Sequence, residues 1–386
     1  MNFVFVVDKY KPVTSSNAVC MINIMRELKK NNHNVKLIAI YEGSTDYGEF
    51  DCKYVQPVET KDKTLFEYLK CFFVYSRYNK GLVKNYYDAI VEIDKEIGID
   101  YLVCAHNLYE AIKAGQQVKK YNKKIKCIGY FLDALSEAEI VNKKFNLKEW
   151  IVIQTLKKET KQIIKDLDLI LIPEYWKGEY SKKMCFVGKN VKFVGLPNLT
   201  EEKLPSNVCK DKIKIVYCGY LYRTIRGVEC IKDFSRLLDI NKNIEIHFYS
   251  KGKEEELNEF CNKYPNNVFL HGYVDRATLE KVLQDANYFL NISNRVTNYV
   301  PGKLFEYLSY AKPIINYQYI DNDPTMVYIN KYDLSYNLVD GKDTDINDFN
   351  RFIEENKFAT LDYENVKETF KECLPTYSIK LMLEEI

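Results

Sequence analysis

The sequence predicts an α/β protein built from two doubly wound halves, each a parallel sheet with helices on its faces. Short apolar runs of strand length alternate with longer segments of helical periodicity, and this alternation occurs twice. A polar stretch at Leu199–Asp211 separates the two series. The length of 386 residues also fits two domains better than one.

The first half begins with an apolar strand at Asn2–Val7, followed by a turn-like stretch and a helix predicted over Ala18–Lys30. Apolar residues recur in that helix at three-residue steps, and Ser15 or Ser16 can cap its first amide groups. A second strand at Val35–Tyr41 completes the β-loop-α-β order that starts a parallel sheet. The later elements are the strands Tyr101–Ala105, Ile125–Phe131 and Leu169–Ile172 and the helices Leu82–Ile97 and Trp150–Leu167.

The second half repeats the pattern with a strand at Ile213–Tyr217, a loop at Gly219–Gly227 and a helix at Val228–Leu238. Its further strands are Ile244–Tyr249, Val268–Leu270, Tyr288–Ile292 and Pro313–Tyr317, and its further helices include Arg276–Gln284 and Lys303–Ser309.

Composition and charge exclude several classes of protein. The 56 Lys and Arg residues nearly balance the 54 Asp and Glu residues, so we expect no nucleic-acid-coating role. The 11 cysteines are scattered and the four histidines widely spaced, which disfavours a disulfide framework or a metal site. No apolar run approaches the roughly 20 residues that span a bilayer, and no signal peptide is recognisable. We therefore expect a soluble cytoplasmic protein that uses no metal.

The segment Val300–Leu308 gives the strongest binding signal. Pro301 suits a first helical position, and Gly302 lets a ligand approach the backbone closely. The free amide groups of a helix start attract phosphate oxygens, and Lys303 adds a cation there. Glu306 shares a helix face with Lys303, so this face offers a cation for a diphosphate and a carboxylate for sugar hydroxyls. The alternative is a surface Lys–Glu pair on a capped helix.

The loop Gly219–Gly227 is a second candidate, because it follows a strand at the carboxyl edge where doubly wound sheets bind ligands. Its arginines, Arg223 and Arg226, can clamp phosphate oxygens. The alternative is that one or both are solvated loop charges.

Three blocks resemble, in order and separation, the donor half of GT-B glycosyltransferases, and most closely the retaining family 4 group. They are Gly219 to Arg223, Arg226 and Gly227, then His271-Gly272-Tyr273-Val274-Asp275, then Pro301-Gly302-Lys303-Leu304-Phe305-Glu306-Tyr307-Leu308. A weaker likeness at Asn32–Val35 extends the resemblance over nearly the whole chain. It implies two Rossmann-like domains facing a central cleft and metal-independent sugar transfer with retention of configuration.

The resemblance assigns roles in the second half to the residues that match its blocks. They are the ribose acceptor Glu306, the diphosphate cations Lys303 and Arg223 or Arg226, the glycines Gly219 and Gly302 at the phosphates, and the base-covering Tyr273 and Val274. Asn298 stands where the family often has a glutamate that touches the donor sugar, and its amide can still bond to hydroxyls.

In the first half, the same resemblance places Thr14–Asn17 where the family has a glycine-rich loop facing the donor phosphates, which makes Ser15 and Ser16 donor contacts. His106 falls at a cleft position where a catalytic histidine is common, and Asp133 falls near another. A hydrogen-bonded structural histidine is the alternative for His106.

An aromatic-rich segment at Leu65–Tyr78 could lie in a membrane interface and present a lipid-linked acceptor. The basic residues that would favour anionic lipid are Lys119, Lys120, Lys123, Lys124 and Lys126. The alternative is a buried helix beside a solvated charge run.

Together these features predict an acceptor-side domain at 1–200, a nucleotide-sugar donor domain at 201–360, and helices at 361–386 that pack back toward the first domain. The predicted function is transfer of a sugar from a UDP or GDP donor to a carbohydrate or lipid-linked glycan, in cell-surface polysaccharide synthesis, with peripheral contact at the inner face of the membrane. Two alternatives remain open: a non-catalytic partner of another glycosyltransferase, and a sugar-nucleotide epimerase on the same fold.

Overall fold

The computed structural model describes residues 1–10, 16–43, 48–58, 78–106, 109–132, 147–203, 212–221 and 224–386. The chain divides into two compact units. The first contains Met1–Asn198 and Glu372–Ile386, and the second contains Leu199–Lys371. Each unit is built around one sheet, so the prediction of two α/β halves is confirmed.

The strands within the described residues are all paired in parallel. Those of the first unit are β1 (Asn2–Val6), β2 (Asn34–Ile40), β3 (Cys52–Val55), β4 (Tyr101–His106), β5 (Lys126–Phe131), β6 (Leu169–Pro173) and β7 (Val191–Val194). Those of the second unit are β8 (Ile213–Tyr220), β9 (Ile244–Lys251), β10 (Val268–Leu270), β11 (Tyr288–Ile292), β12 (Ile314–Gln318) and β13 (Ser335–Val339).

Both sheets reverse their strand order at one point. The first sheet has the order β3-β2-β1-β4-β5-β6-β7, and the second has the order β10-β9-β8-β11-β12-β13. The reversal therefore falls between β1 and β4 in one unit and between β8 and β11 in the other. At such a point the connections leave in opposite directions, which opens a crevice at the carboxyl ends of the strands.

Helices connect these strands, and the predicted ones are present with shifted ends. They are α1 (Ser16–Lys30), α2 (Lys80–Ile97), α3 (Tyr109–Tyr121), α4 (Leu147–Asp166), α5 (Glu179–Lys183), α6 (Ile231–Ile240), α7 (Glu254–Lys263), α8 (Arg276–Asp285), α9 (Lys303–Leu308), α10 (Met326–Ile329), α11 (Ile346–Asn356), α12 (Tyr363–Thr369) and α13 (Pro375–Glu384). Helix α2 begins earlier than predicted because the Asn79 side chain accepts hydrogen bonds from the amides of Gly81 and Leu82, at 2.9 and 3.2 Å.

The predicted end of the strand at Tyr217 is wrong. Strand β8 runs on through Gly219 to Tyr220, because these two residues pair with Ser250 and Lys251 of β9. Gly219 therefore lies inside a strand, not in the loop to which it was assigned. An added Cβ at Gly219 would lie 3.0 Å from the Tyr217 hydroxyl, so close packing, rather than a turn, accounts for a glycine there.

The tail helix α13 packs within the first unit. The Ser378 and Tyr130 hydroxyl oxygens are 2.9 Å apart and buried, and Lys192 pairs with Glu385 at 2.7 Å. The tail thus adds a hydrogen bond and an ion pair to the sheet that the start of the chain builds.

A row of asparagine amides, two buried and one half-buried, crosses the second sheet. Asn291, Asn316 and Asn337 are neighbours in register on β11, β12 and β13. The Asn291 amide donates to Asn316 Oδ1 at 2.7 Å, and the Asn316 amide donates to Asn337 Oδ1 at 2.7 Å. Ser293 adds a hydrogen bond of 3.2 Å to Asn316 Oδ1. Asn316 thus links three strands through side chains as well as backbone.

We expect Asn316→Ala to lower the free energy of unfolding by about 1–3 kcal/mol, because it leaves the buried Asn291 amide without this partner and removes the hydrogen bond to the half-buried Asn337. Urea unfolding followed by circular dichroism measures the change. The exposed Asn262 of α7 gives the control, and Asn262→Ala should change stability by less than about 0.5 kcal/mol. Equal stability of the two variants would contradict the role of the amide row.

Candidate functional site

The candidate site lies in the second unit, at the carboxyl edge of its sheet, where β8 and β11 are neighbours. The segments that follow these strands are 221–230, of which 222 and 223 lie outside the described residues, and 293–302. Helix α9 begins directly after the second segment. The topology therefore brings the two predicted phosphate-binding segments to one edge of one sheet.

Helix α9 begins at Lys303, as predicted, and has six residues. Gly302 precedes it with φ −61° and ψ −24°, a conformation open to any residue, and no side chain caps the first amides. A helix of under two turns has a small dipole. The positive charge at this end of α9 therefore comes mainly from cationic side chains.

Tyr307 fixes α9 against the sheet. Its hydroxyl accepts a hydrogen bond from the Cys218 amide of β8 at 3.0 Å, and its ring stacks on Phe289 of β11 at 4.6 Å. Because the helix is anchored on the two strands at the reversal point, the positions of Lys303 and Glu306 on it are defined by the sheet.

The two oxygens of the Glu306 carboxylate each face a cation. Lys303 Nζ lies 2.6 Å from Oε2, and a terminal nitrogen of Arg276 lies 2.6 Å from Oε1. The Glu306 side chain is 13% exposed, whereas Lys303 is 30% and Arg276 57% exposed. The carboxylate is thus enclosed while both cations reach the surface, where an anion could meet them.

The charge of Glu306 is set by these neighbours. Burial raises the pKa of its carboxyl, but Lys303 and Arg276 lower it further, and the result is a pKa of about 2. Glu306 is therefore ionised throughout the neutral range and acts as a hydrogen-bond acceptor, not as an acid.

Arg226 is held by polar neighbours. Its Nε and one terminal nitrogen donate to Asn294 Oδ1 at 3.2 and 2.8 Å, and its other terminal nitrogen lies 3.5 Å from the Tyr217 hydroxyl. Asn294 itself donates to the Tyr299 carbonyl at 3.0 Å. The guanidinium is therefore oriented at the edge of the sheet. Arg223 lies outside the described residues, so the choice between the two arginines stays open.

The predicted base-covering and sugar-contacting residues differ in exposure. Tyr273 is 78% exposed with Lys251 Nζ 5.0 Å from its ring centre, and Val274 is half-buried. Asn298 is 2% exposed. Tyr273 is thus accessible to a ligand, whereas Asn298 is enclosed in its segment, and the roles of all three stay predictions.

The predicted first-unit residues are only partly described. His106 is the last residue of β4, on the strand next to β1, and Ser16 is the first residue of α1. Ser15, Asp133 and residues 65–77 of the aromatic-rich segment lie outside the described residues. Two of the five lysines proposed for lipid contact have partners inside the unit: Lys119 pairs with Asp168 at 2.7 Å, and Lys126 donates to the Tyr101 hydroxyl at 3.0 Å.

Sequence reasoning missed a cluster at the same edge of the second sheet. Glu229 pairs with Arg295 and accepts a hydrogen bond from the Tyr319 hydroxyl at 2.5 Å. The Tyr319 hydroxyl also accepts from the Gly227 amide at 3.1 Å. Burial raises the pKa of Glu229, but Tyr319 and Arg295 lower it below its usual value. The cluster ties together the segments after β8, β11 and β12.

Arg276 was missed as well, because the sequence placed it only at the start of a helix. No spacing rule joins it to Glu306, since the two residues lie on different helices. The available signal was its position directly after the block His271–Asp275.

Within the described ranges, no group of three or more His, Cys, Asp or Glu residues is arranged to hold a metal ion. Among the helices that the structure describes, none combines the length and apolar content needed to cross a bilayer.

Residues 212–327 match the family model described as Glycosyl transferases group 1. This segment spans β8 to the start of α10 and contains Arg226, Arg276, Lys303 and Glu306. No curated protein matches the chain by sequence.

Solved structures match over almost the full length. HepE of Anabaena, in complex with UDP and glucose, has a TM-score of 0.63 and 12% identity, with 100% of both chains covered. The catalytic domain of starch synthase IV from Arabidopsis thaliana, bound to ADP and acarbose, has a TM-score of 0.62 and 10% identity, with 99% of both chains covered. A Listeria monocytogenes protein described as a UDP-N-acetylglucosamine 2-epimerase has a TM-score of 0.56 and 10% identity, with 100% of this chain and 97% of that one covered. These likenesses establish the fold, which is the GT-B fold that the resemblance predicted.

Proposed function

We propose that this chain transfers a sugar from a nucleoside-diphosphate donor to a hydroxyl of a glycan, on the premise that residues 212–327 match the family model described as Glycosyl transferases group 1. The observation that supports this most is the paired arrangement of Lys303, Arg276 and Glu306 at the carboxyl edge of the second sheet. Glu306 is a hydrogen-bond acceptor there, and Lys303 and Arg276 are cations that are accessible to solvent.

The proposed donor site uses this arrangement as follows. The ribose hydroxyls donate to the Glu306 carboxylate, which is ionised at neutral pH. The diphosphate meets Lys303 together with Arg226 or Arg223. Tyr273 and Val274 cover the base, with the Tyr273 ring accessible for it.

The reaction breaks the bond between the anomeric carbon and the diphosphate oxygen, and it forms a bond from that carbon to the acceptor oxygen. Negative charge grows on the leaving diphosphate as the old bond breaks. Lys303 and the arginine can stabilise that charge by electrostatics fixed before the reaction. Retention of configuration at the anomeric carbon is part of the proposal and comes from the family resemblance.

The first unit is proposed to bind the acceptor, with His106 at the end of β4 as its candidate catalytic residue. A carbohydrate or lipid-linked glycan is the proposed acceptor class. A UDP donor is suggested by HepE, whose structure contains UDP, and an ADP donor by starch synthase IV, whose structure contains ADP.

Nucleotide binding tests this function directly. We expect one of UDP, GDP and ADP to raise the unfolding midpoint, since a ligand at 100 times its Kd stabilises the folded state by about 2.7 kcal/mol. The same nucleotide should give a much smaller shift with Glu306→Gln. Failure of all three nucleotides at millimolar concentration would contradict the proposal and favour a non-catalytic partner protein.

An epimerase is the second candidate, because the Listeria protein described as a 2-epimerase has a similar fold. The two functions differ in their need for an acceptor. A sugar-nucleotide epimer formed from donor alone would establish the epimerase, whereas a product that requires an added glycan would establish the transferase.

A further inference from the structure

Arg276 stands at a junction between two parts of the proposed donor site. It follows the base-covering block His271–Asp275 directly and is the first residue of α8. Asp275 fixes this junction, because its side chain accepts from the Thr278 amide at 3.0 Å and from the Thr278 hydroxyl at 2.7 Å. The backbone that presents Arg276 is therefore held in place by a helix cap.

From this junction Arg276 reaches across to α9. Its guanidinium lies 2.6 Å from Glu306 Oε1, and Lys303 Nζ lies 2.6 Å from Glu306 Oε2. A carboxylate that is 13% exposed requires such partners, because an unpaired buried charge is strongly disfavoured. The two cations hold the carboxylate from opposite oxygens, which restricts its rotation.

A nearby carboxylate, that of Glu280, does not compete with Glu306 for Arg276. Glu280 lies four residues further along α8, on the same helix face, and would be the natural helical partner of Arg276. Lys203 pairs with Glu280 Oε1 at 2.6 Å. The competing acid is therefore already engaged, and Arg276 contacts the carboxylate on the other helix.

We propose that Arg276 is a positioning residue that orients the Glu306 carboxylate, so that its open lone pairs receive the donor's ribose hydroxyls. This inference rests on the proposed function and names one residue of that site. A carboxylate offers about four lone-pair directions. Lys303 donates a hydrogen bond to Oε2 at 2.6 Å, whereas Arg276 forms an ion pair with Oε1 without adding a hydrogen bond there. We assign the lone-pair directions that stay open to the 2′- and 3′-hydroxyls. Arg276 thereby links the block that covers the base to the group that binds the ribose.

The test compares UDP with 2′,3′-dideoxy-UDP by calorimetric titration of the full chain, or the corresponding GDP or ADP pair if that nucleotide binds instead. The unaltered protein should bind UDP about 10- to 100-fold more tightly than 2′,3′-dideoxy-UDP, because hydrogen bonds to a charged acceptor strengthen binding by about this factor. Arg276→Ala should reduce this preference about tenfold, and Arg276→Lys should restore part of it. The control Lys281→Ala removes an exposed charge from the same helix and should leave the preference unchanged.

The pH dependence gives a readout that a merely structural role would not change. Glu306 faces Lys303 on its own helix and Arg276 on α8. The other titratable groups that interact with it are Glu280, Tyr307, Tyr310 and Cys218. Loss of one cation raises the pKa of Glu306 from about 2. UDP binding by Arg276→Ala should therefore weaken at a higher pH than binding by the unaltered protein as the pH falls.

Three results would overturn the inference. Full ribose preference in Arg276→Ala would do so while leaving the proposed function intact. Equal weakening of UDP and dideoxy-UDP would instead make Arg276 a diphosphate contact. No nucleotide binding by the unaltered protein would overturn both proposals. If Arg276→Ala fails to fold, Arg276→Gln replaces it, because the amide retains hydrogen bonding without the charge.

Discussion

Lys303→Ala is expected to lower kcat about 10²- to 10³-fold, the usual effect of removing one preorganised group that stabilises developing charge. The Lys303 side chain is 30% exposed at the start of α9, and its ammonium lies 2.6 Å from Glu306, so it is already held where the diphosphate is proposed to depart. The charge that it opposes grows only as the bond to the sugar breaks. The loss should therefore appear in kcat more than in KM.

Steady-state transfer assays with saturating acceptor measure this change, and Lys232→Ala on α6 is the matched control because it removes an exposed lysine of the same unit. The control should keep its rate within about twofold. If Lys303→Ala raised KM alone and left kcat intact, the role of Lys303 in the transition state would be wrong.

Glu306→Gln is expected to weaken donor binding about 10- to 100-fold, because hydrogen bonds from the ribose to a charged acceptor are worth roughly 1.5–3 kcal/mol. The substitution keeps the shape of the side chain and removes the charge that Lys303 and Arg276 face. Equilibrium titration with the bound nucleoside diphosphate measures the effect. Glu255→Gln, at an exposed position of α7, should bind as the unaltered protein does.

If Glu306→Gln left both the nucleotide affinity and the unfolding midpoint unchanged, the ribose would have to bind at another site. If the affinities for UDP and 2′,3′-dideoxy-UDP fell equally, the Glu306 carboxylate would act on the cations that bind the diphosphate rather than on the ribose.

Most central strands of both sheets could be predicted because they are largely apolar runs, as expected for strands covered on both faces. The central strand β9 could be predicted because its apolar and polar residues alternate. The edge strands β3 and β13 could not, since Cys52–Val55 and Ser335–Val339 mix polar and apolar residues, and only pairing with a neighbour makes them strands. The same reason explains the error at Gly219, whose strand conformation depends on Ser250 of β9.

The candidate site also has a part that the sequence could predict and a part that it could not. Lys303 and Glu306 could be predicted as a pair because three residues along one helix place them on one face. Their third member, Arg276, could not be predicted, since its contact joins α8 and α9 and depends on how both helices pack on the sheet. Short-range spacing thus predicted two of the three members of the polar group, and tertiary packing supplied the third.

A crystal structure of the full chain with the bound nucleoside diphosphate tests the central claim most directly. We predict ribose hydroxyls within hydrogen-bond distance of the Glu306 carboxylate and diphosphate oxygens within hydrogen-bond distance of Lys303 Nζ. A nucleotide found away from α9, with the Lys303–Glu306–Arg276 contacts unchanged, would contradict it.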